Sequence, residues 1–144
     1  MVWADLSGTA LRVSARVNHS LTAVPDRADA SESAPTSGRI YLFGGDDGQS
    51  PRNDCWVYDV ARDEWEEPEL RGERPSPRSR HSMTLVRHFR AETQTEDERL
   101  YLYGGVGTHT EVVHYLDLAT RTWVTPTPVG EDCLLYTSDA ADDV

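Results

Sequence analysis

Cysteine is nearly absent. Two occur in 144 residues, Cys55 and Cys133, which leaves no disulfide framework and no thiolate spacing for a structural metal; Cys55, inside an apolar run, reads as a small buried residue. No apolar stretch approaches the roughly 20 residues of a membrane helix, and the first residues lack the basic start, apolar run and small-residue cleavage site of a secretory signal. Positive charge is scarce: 14 Lys and Arg stand against 25 Asp and Glu, for a net charge of −11. A surface of that sign repels nucleic-acid phosphates and anionic membranes, so neither is an expected partner, and cytoplasmic or nuclear residence is expected. Histidines come without the acidic or thiolate companions of a metal centre: neither His81 with His88 nor His109 with His114 has a matching set. No metal and no cofactor is expected. The acidic run Asp63-Glu64-Trp65-Glu66-Glu67 alternates faces on a strand, so it reads as a solvated edge and not as a paired acid/base device.

What the chain has is a repeat. Arg39-Ile40-Tyr41-Leu42-Phe43-Gly44-Gly45 returns as Arg99-Leu100-Tyr101-Leu102-Tyr103-Gly104-Gly105. Each copy reads as a buried strand that stops at a tight turn, with two glycines supplying positive φ and close backbone approach. Side chains at Gly44 and Gly104 are therefore expected to be crowded or forced to an unfavourable φ. The register extends outward. Trp65 stands 16 positions before His81 and Trp3 stands 16 before His19, with Arg16, Ser20 and Thr22 matching Arg78, Ser82 and Thr84. An offset of 58 pairs Asp59 with Asp117, Trp65 with Trp123, Pro68 with Pro126 and Gly72 with Gly130. A unit of about sixty residues is a repeat-architecture period.

The ordered set Gly44-Gly45, Tyr58-Asp59, Trp65 and Pro77-Arg78-Ser79-Arg80-His81-Ser82, followed by Gly104-Gly105, Tyr115, Asp117 and Trp123, resembles the kelch repeat. Each unit of that family forms one four-stranded blade of a β-propeller, and the resemblance covers residues 3–132. It implies an all-β fold of about two antiparallel blades, in which Gly44, Gly45, Tyr58, Trp65, Arg78, His81, Gly104, Gly105, Tyr115 and Trp123 are structural motif residues. Propellers hold about 4–8 blades, so a fragment of a larger ring is expected, with the missing blades as its partners. The expected division is the end of a preceding blade and an inter-blade loop over 1–18, blades over 19–67 and 81–126 joined by a loop over 68–80, and the start of another loop over 127–132. Kelch units run near fifty residues; the excess here falls between the first and second strands.

Strands are expected over residues 19–24, 39–43 and 55–60, then 81–86, 99–103 and 112–118, each blade closing on an outer strand at its tryptophan. Residues 25–38 and 87–98 are polar enough to read as long loops. Trp65 and Trp123 are expected to pack against Tyr58 and Tyr115 or against the adjacent blade. The repeat stops at Asp132. Residues 133–142 resemble the translation of a transposon-type sequencing adapter, so 133–144 is expected to be a non-native tail.

Two function classes follow. Kelch-like proteins are commonly non-catalytic protein-binding platforms, and the resemblance implies that role, as scaffold or adaptor; the alternative is a piece of a propeller enzyme, of oxidase or sugar-acid isomerase type, whose catalytic residues lie elsewhere. Strand direction places the loop between second and third strands at the same end as the inter-blade connection. That end gathers Asp46, Asp47, Gln49, Arg52 and Asn53, then Arg74 and Arg80, then Thr108 and His109. Arginine forks suit carboxylates, so an acidic segment of an unidentified protein is the expected ligand of Arg52, Arg74 and Arg80.

Overall fold

The computed structural model describes residues 13–26 and 37–127. Among them lie eleven strands and no helix. In chain order these are β1 (Ser20–Pro25), β2 (Gly38–Phe43), β3 (Cys55–Asp59) and β4 (Glu64–Glu66); β5 (Arg71–Gly72) and β6 (Arg78–Ser79) in the connection; then β7 (Ser82–Arg90), β8 (Thr95–Tyr103), β9 (Val106–Gly107), β10 (His114–Asp117) and β11 (Thr122–Val124). The first four form one antiparallel meander. β7, β8, β10 and β11 form the second, extended by β5, which pairs parallel with β11. These all-β antiparallel sheets match the expected pair of blades.

Local chemistry sets the turns. The Asp59 carboxylate accepts the Arg62 amide, and Asp117 accepts the amides of Ala119 and Thr120, closing the same turn in each copy. Asp63 and Arg121 then take a left-handed φ of 55°. At the other end Gly44 and Gly45 stand at φ 66° and 96°, Gly104 and Gly105 at 79° and 96°. A Cβ on Gly44 would come within 2.8 Å of the Arg78 carbonyl, whereas one on Gly104 would meet nothing within 4 Å. Crowding therefore operates at Gly44, and only the backbone conformation at Gly104.

The core fills the space between the two sheets: Phe43 and Cys55 from the first meet Met83, Leu100, Leu102, Leu116 and Trp123 of the second. Each sheet is covered on the face that meets the other, while Leu21, Val86 and Tyr103 stand exposed on the outer faces. Phe43 is fully buried, its ring 5.3 Å from Trp123 and 5.4 Å from His81. The two tryptophans thus diverge. Trp65 lies on Tyr58 of its own sheet at 5.2 Å, while Trp123 reaches the adjacent blade and leaves Tyr115 to pair with Tyr101. Burial pushes the Cys55 thiol up to about 12, an inert small residue in an apolar setting.

One expectation is overturned. Residues 87–98 are not a long loop: β7 and β8 continue as a paired ladder to Arg90 and Thr95, joined by a four-residue turn. Arg87 pairs with Glu98 at 2.8 Å and Arg90 with Asp97 at 2.5 Å. Polar composition concealed the hairpin, since it leaves the blade and is solvated. The connection 68–80 likewise contains two short strands, and the third strand of the second blade starts at His114 instead of Val112. Residues 1–12, 27–36 and 128–144, and with them most of the expected preceding blade, the centre of the 25–38 loop and the tail, lie outside the described residues.

Candidate partner-binding face

Backbone hydrogen bonds join the strand ends that carry the glycine pairs. Val17 and Asp46 exchange amide and carbonyl at 2.9 and 2.8 Å; the Gly45 amide donates to the Arg78 carbonyl at 3.0 Å, and the Arg78 amide to the Arg52 carbonyl at 3.0 Å. β6 then pairs with β9. The connection is thereby stitched between the two loops that link second and third strands. Amides and carbonyls consumed this way cannot fray independently, so residues 45–54, 75–80 and 105–109 form one surface.

The expected partner-binding residues come to this surface in different states. Asp46 and Asp47 are structural acceptors: Asp46 takes the Gly48 amide, and Asp47 takes the amides of Gln49 and Ser50 and a nitrogen of Arg52. Arg52 is anchored by Asp47 at 3.1 Å and Asp54 at 3.4 Å, with its side chain 37% exposed. Asn53 donates to the Pro75 carbonyl. The Thr108 carbonyl accepts the Ser76 hydroxyl, and exposed His109 stands 3.9 Å from Glu111. Among the described residues Arg74 has a single long hydrogen bond, 3.5 Å to the Asn53 carbonyl. Arg80 is exposed at a left-handed φ of 59°, its amide held by the Asn18 carbonyl. Among the described residues its side chain makes no ion pair.

Beneath the surface sit two buried arginines at matching repeat positions. Arg16 forks onto both Asp54 oxygens at 2.6 and 2.9 Å. Arg78, with none of its surface exposed, donates to neutral oxygens of Ser76, Gly104 and His109. Burial pulls the Arg78 pKa down. Sequence reasoning missed Asp54: it precedes a strand in one copy and has no acidic counterpart in the other.

His81 joins the blades. Its Nε2 lies 3.0 Å from both the Phe43 carbonyl and the Ser20 hydroxyl, and its buried Nδ1 has no partner among the described residues. Burial lowers its pKa; the Phe43 carbonyl opposes that, and the charges of Arg78 and His19 reinforce it. A histidine held neutral in the fold protonates more readily in the unfolded chain. Stability is therefore complete above the unfolded value of about 6.5 and declines as pH falls through it, until the lowered folded pKa is passed. Burial also lowers His114, adding to the same step. Asp54 acts at lower pH: burial works to raise its pKa, but hydrogen bonds from Arg16 and Trp56 and the arginine charges hold it at about 2. Its contribution is present above about 3.8 and is lost as pH falls toward 2. The urea midpoint is expected to fall in these two windows, with His81→Gln shrinking only the upper one; a midpoint that is flat between roughly pH 7 and 5 contradicts the His81 assignment.

Comparison with known proteins follows the same lines. The family profile described as the KLHDC2/KLHL20/DRC7 Kelch-repeats domain matches residues 1–138. The chain is 29% identical over 104 residues to a Rab9 effector protein with kelch motifs from Xenopus laevis, covering 69% of this chain and 26% of that protein. It is 32% identical over 96 residues to acyl-CoA-binding domain-containing protein 4 of Arabidopsis thaliana, covering 64% and 13%. With human host cell factor 2 the figures are 28% over 105 residues, covering 62% and 12%. The chain thus spans about a quarter or less of the length of these relatives.

Proposed function

The chain belongs to the kelch-repeat family, and from that premise we propose that its blades are a non-catalytic platform on which an acidic segment of another protein docks, at the face where the strands end in Gly-Gly. The supporting observation is the stitched surface itself, which holds two loops and the connection together yet, among the described residues, leaves Arg80 exposed and without an ion pair, and Arg74 tied only by a long bond to a carbonyl. A rigid surface with uncommitted donors binds at low entropic cost. Every cation of the chain is an arginine, whose planar fork matches a carboxylate in a way a lysine does not. Arg52 plays a supporting part: Asp47 and Asp54 fix its guanidinium, and its exposed edge completes the row.

Relatives named for a Rab9 effector role and for an acyl-CoA-binding domain share this segment, which fits a platform whose partner is set by surface side chains. Selection of displayed peptides on the full chain tests the reading. Acidic sequences should be enriched, with the enrichment lost for Arg80→Ala and reduced for Arg74→Ala and Arg52→Ala, and retained for Arg90→Ala on the hairpin at the other end. Single exposed charges are each worth only about 0.2–1 kcal/mol, so the combined variant should show the clearest loss. Enrichment that survives the combined variant but disappears in Arg90→Ala would move the site to the opposite end.

A further inference from the structure

The two blades are joined through one short segment. Residues 78–81 belong to the second blade by the β6–β9 pairing and reach back to the first. The Arg78 carbonyl accepts the Gly45 amide, the Asn18 carbonyl accepts the Arg80 amide, and His81 Nε2 meets the Phe43 carbonyl and the Ser20 hydroxyl. The Thr22 hydroxyl adds a bond to the Met83 carbonyl at 2.9 Å.

The repeat supplies both halves of this joint a second time. On the second blade the receiving groups return as Gly105, Tyr103, Ser82 and Thr84. The Ser82 hydroxyl lies 3.4 Å from the Tyr103 carbonyl, as Ser20 lies 3.5 Å from that of Phe43. Among the described residues, however, no bond like that of Gly45 holds the Gly105 amide, and the Thr84 hydroxyl has no partner. A Cβ on Gly104 meets nothing, where one on Gly44 meets Arg78 and His81. Tyr103 is 52% exposed against 0% for Phe43.

On the first blade the inserting segment returns as residues 16–19, already in the docked conformation. Asn18 and Arg80 share a φ of 59°, and the Val17–Asp46 bridge repeats the pairing of Ser79 with Val106. Leu21, the counterpart of Met83, is 57% exposed against 8%, and Trp65 is half-buried where Trp123 is sealed. Charge separates the two joints. At the internal boundary Arg39 and Arg121 both stand close enough to act on the Tyr41 phenol. Their counterparts are Arg99 and Asp63, so joining the two exposed faces sets opposite charges where the internal joint sets like ones.

We propose that the exposed face of the second blade is occupied by the first blade of another copy of this chain, docked head to tail. The Arg16 carbonyl of that copy accepts the Gly105 amide, its His19 meets the Tyr103 carbonyl and the Ser82 hydroxyl, and its Leu21 carbonyl accepts the Thr84 hydroxyl. Its Leu21 and Trp65 cover Tyr103, as Met83 and Trp123 cover Phe43 within one chain. Head-to-tail faces generate rings when the rotation closes, and at two blades per copy a propeller of about 4–8 blades takes two to four copies. The joint does not depend on the acidic ligand proposed above.

Sedimentation equilibrium of the full chain over a concentration series tests this. The mass should rise to between two and four times the 16.1 kDa of one chain. Leu21→Arg on the inserting face and Tyr103→Arg on the receiving face, both at exposed positions, should each leave only monomer. An equimolar mixture of the two should form a 1:1 complex and nothing larger, because one intact pair of faces remains. Ala23→Arg with Val86→Arg, one from each face, is a second such pair whose outcome is independent of how the first pair folds. Asp63→Arg restores the like charges and should weaken association by up to about fivefold; the left-handed φ of 55° there is also that of Arg121. The proposal is overturned by a wild-type chain that stays monomeric at every concentration, by face variants that associate as the wild type does, or by mixtures of both pairs that remain monomeric.

Discussion

Gly105→Ala is expected to lower stability by at least ~3 kcal/mol, well beyond the ~1–2 kcal/mol that a left-handed conformation alone imposes on a side chain. The glycine stands at φ 96°, and a Cβ there would lie 2.5 Å from the Ser79 carbonyl and 2.9 Å from the His81 amide. Neither neighbour can retreat. Ser79 is held by its pairing with Val106, and His81 reaches across to Phe43 and Ser20. Gly48→Ala is the matched control, since Gly48 has nearly the same φ of 95° but nothing within 4 Å; it should show the conformational cost alone. Urea denaturation of the full chain separates the two contributions. Equal losses in the two variants would mean that the close approach of the backbones has no energetic consequence.

That pair also shows which parts of the structure were legible in the sequence. The runs ending in Gly44-Gly45 and Gly104-Gly105 gave away their strands because a short apolar run cut off by two glycines is a strand stopping at a turn, and the turn demands glycine. The same letters did not reveal depth. Trp65 and Trp123 occupy one repeat position, yet Trp65 lies half-buried on its own sheet and Trp123 is sealed against Phe43. The difference is made by the neighbouring blade, which a local pattern does not contain. The hairpin over 87–98 was hidden for the opposite reason: outside the blade no face needs apolar residues, so only charges placed across the ladder, Arg87 with Glu98 and Arg90 with Asp97, specify the pairing.

The candidate face was legible as a place and not as a set of states. Strand direction puts residues 46–53, 74–80 and 108–109 at one end whatever their side chains do. Whether an arginine there is available depends on atoms at hydrogen-bond range. Arg52 has two acids within 4 Å, one of them Asp54, only two positions away, while exposed Arg80 has none among the described residues.

The largest electrostatic effects are expected at the repeat position where the copies differ. The Gly44 amide donates to the Asp54 carbonyl, and at the matching glycine of the second copy the Gly104 amide donates to the Thr110 carbonyl. Asp54→Thr should therefore convert the first copy to the arrangement of the second, leaving Arg16, whose side chain is 2% exposed, without its carboxylate. Removing one partner of a buried pair costs about 3–5 kcal/mol, and here the Trp56 indole also loses its acceptor. Thr110→Asp should do the reverse for Arg78, which is fully buried against neutral oxygens. A charged acceptor in place of neutral ones is worth ~1.5–3 kcal/mol, less what it costs to desolvate the new carboxylate at a half-buried position. The two changes should respond oppositely to acid. A carboxylate held by a buried guanidinium has a depressed pKa, so the gain from Thr110→Asp is present above about pH 4 and disappears as pH falls below it, while Asp54→Thr should flatten the same window in the wild-type profile. Urea midpoints across that range decide the matter: a gain from Thr110→Asp that is absent near neutrality, or that persists unchanged in acid, would show that Arg78 does not meet the new carboxylate.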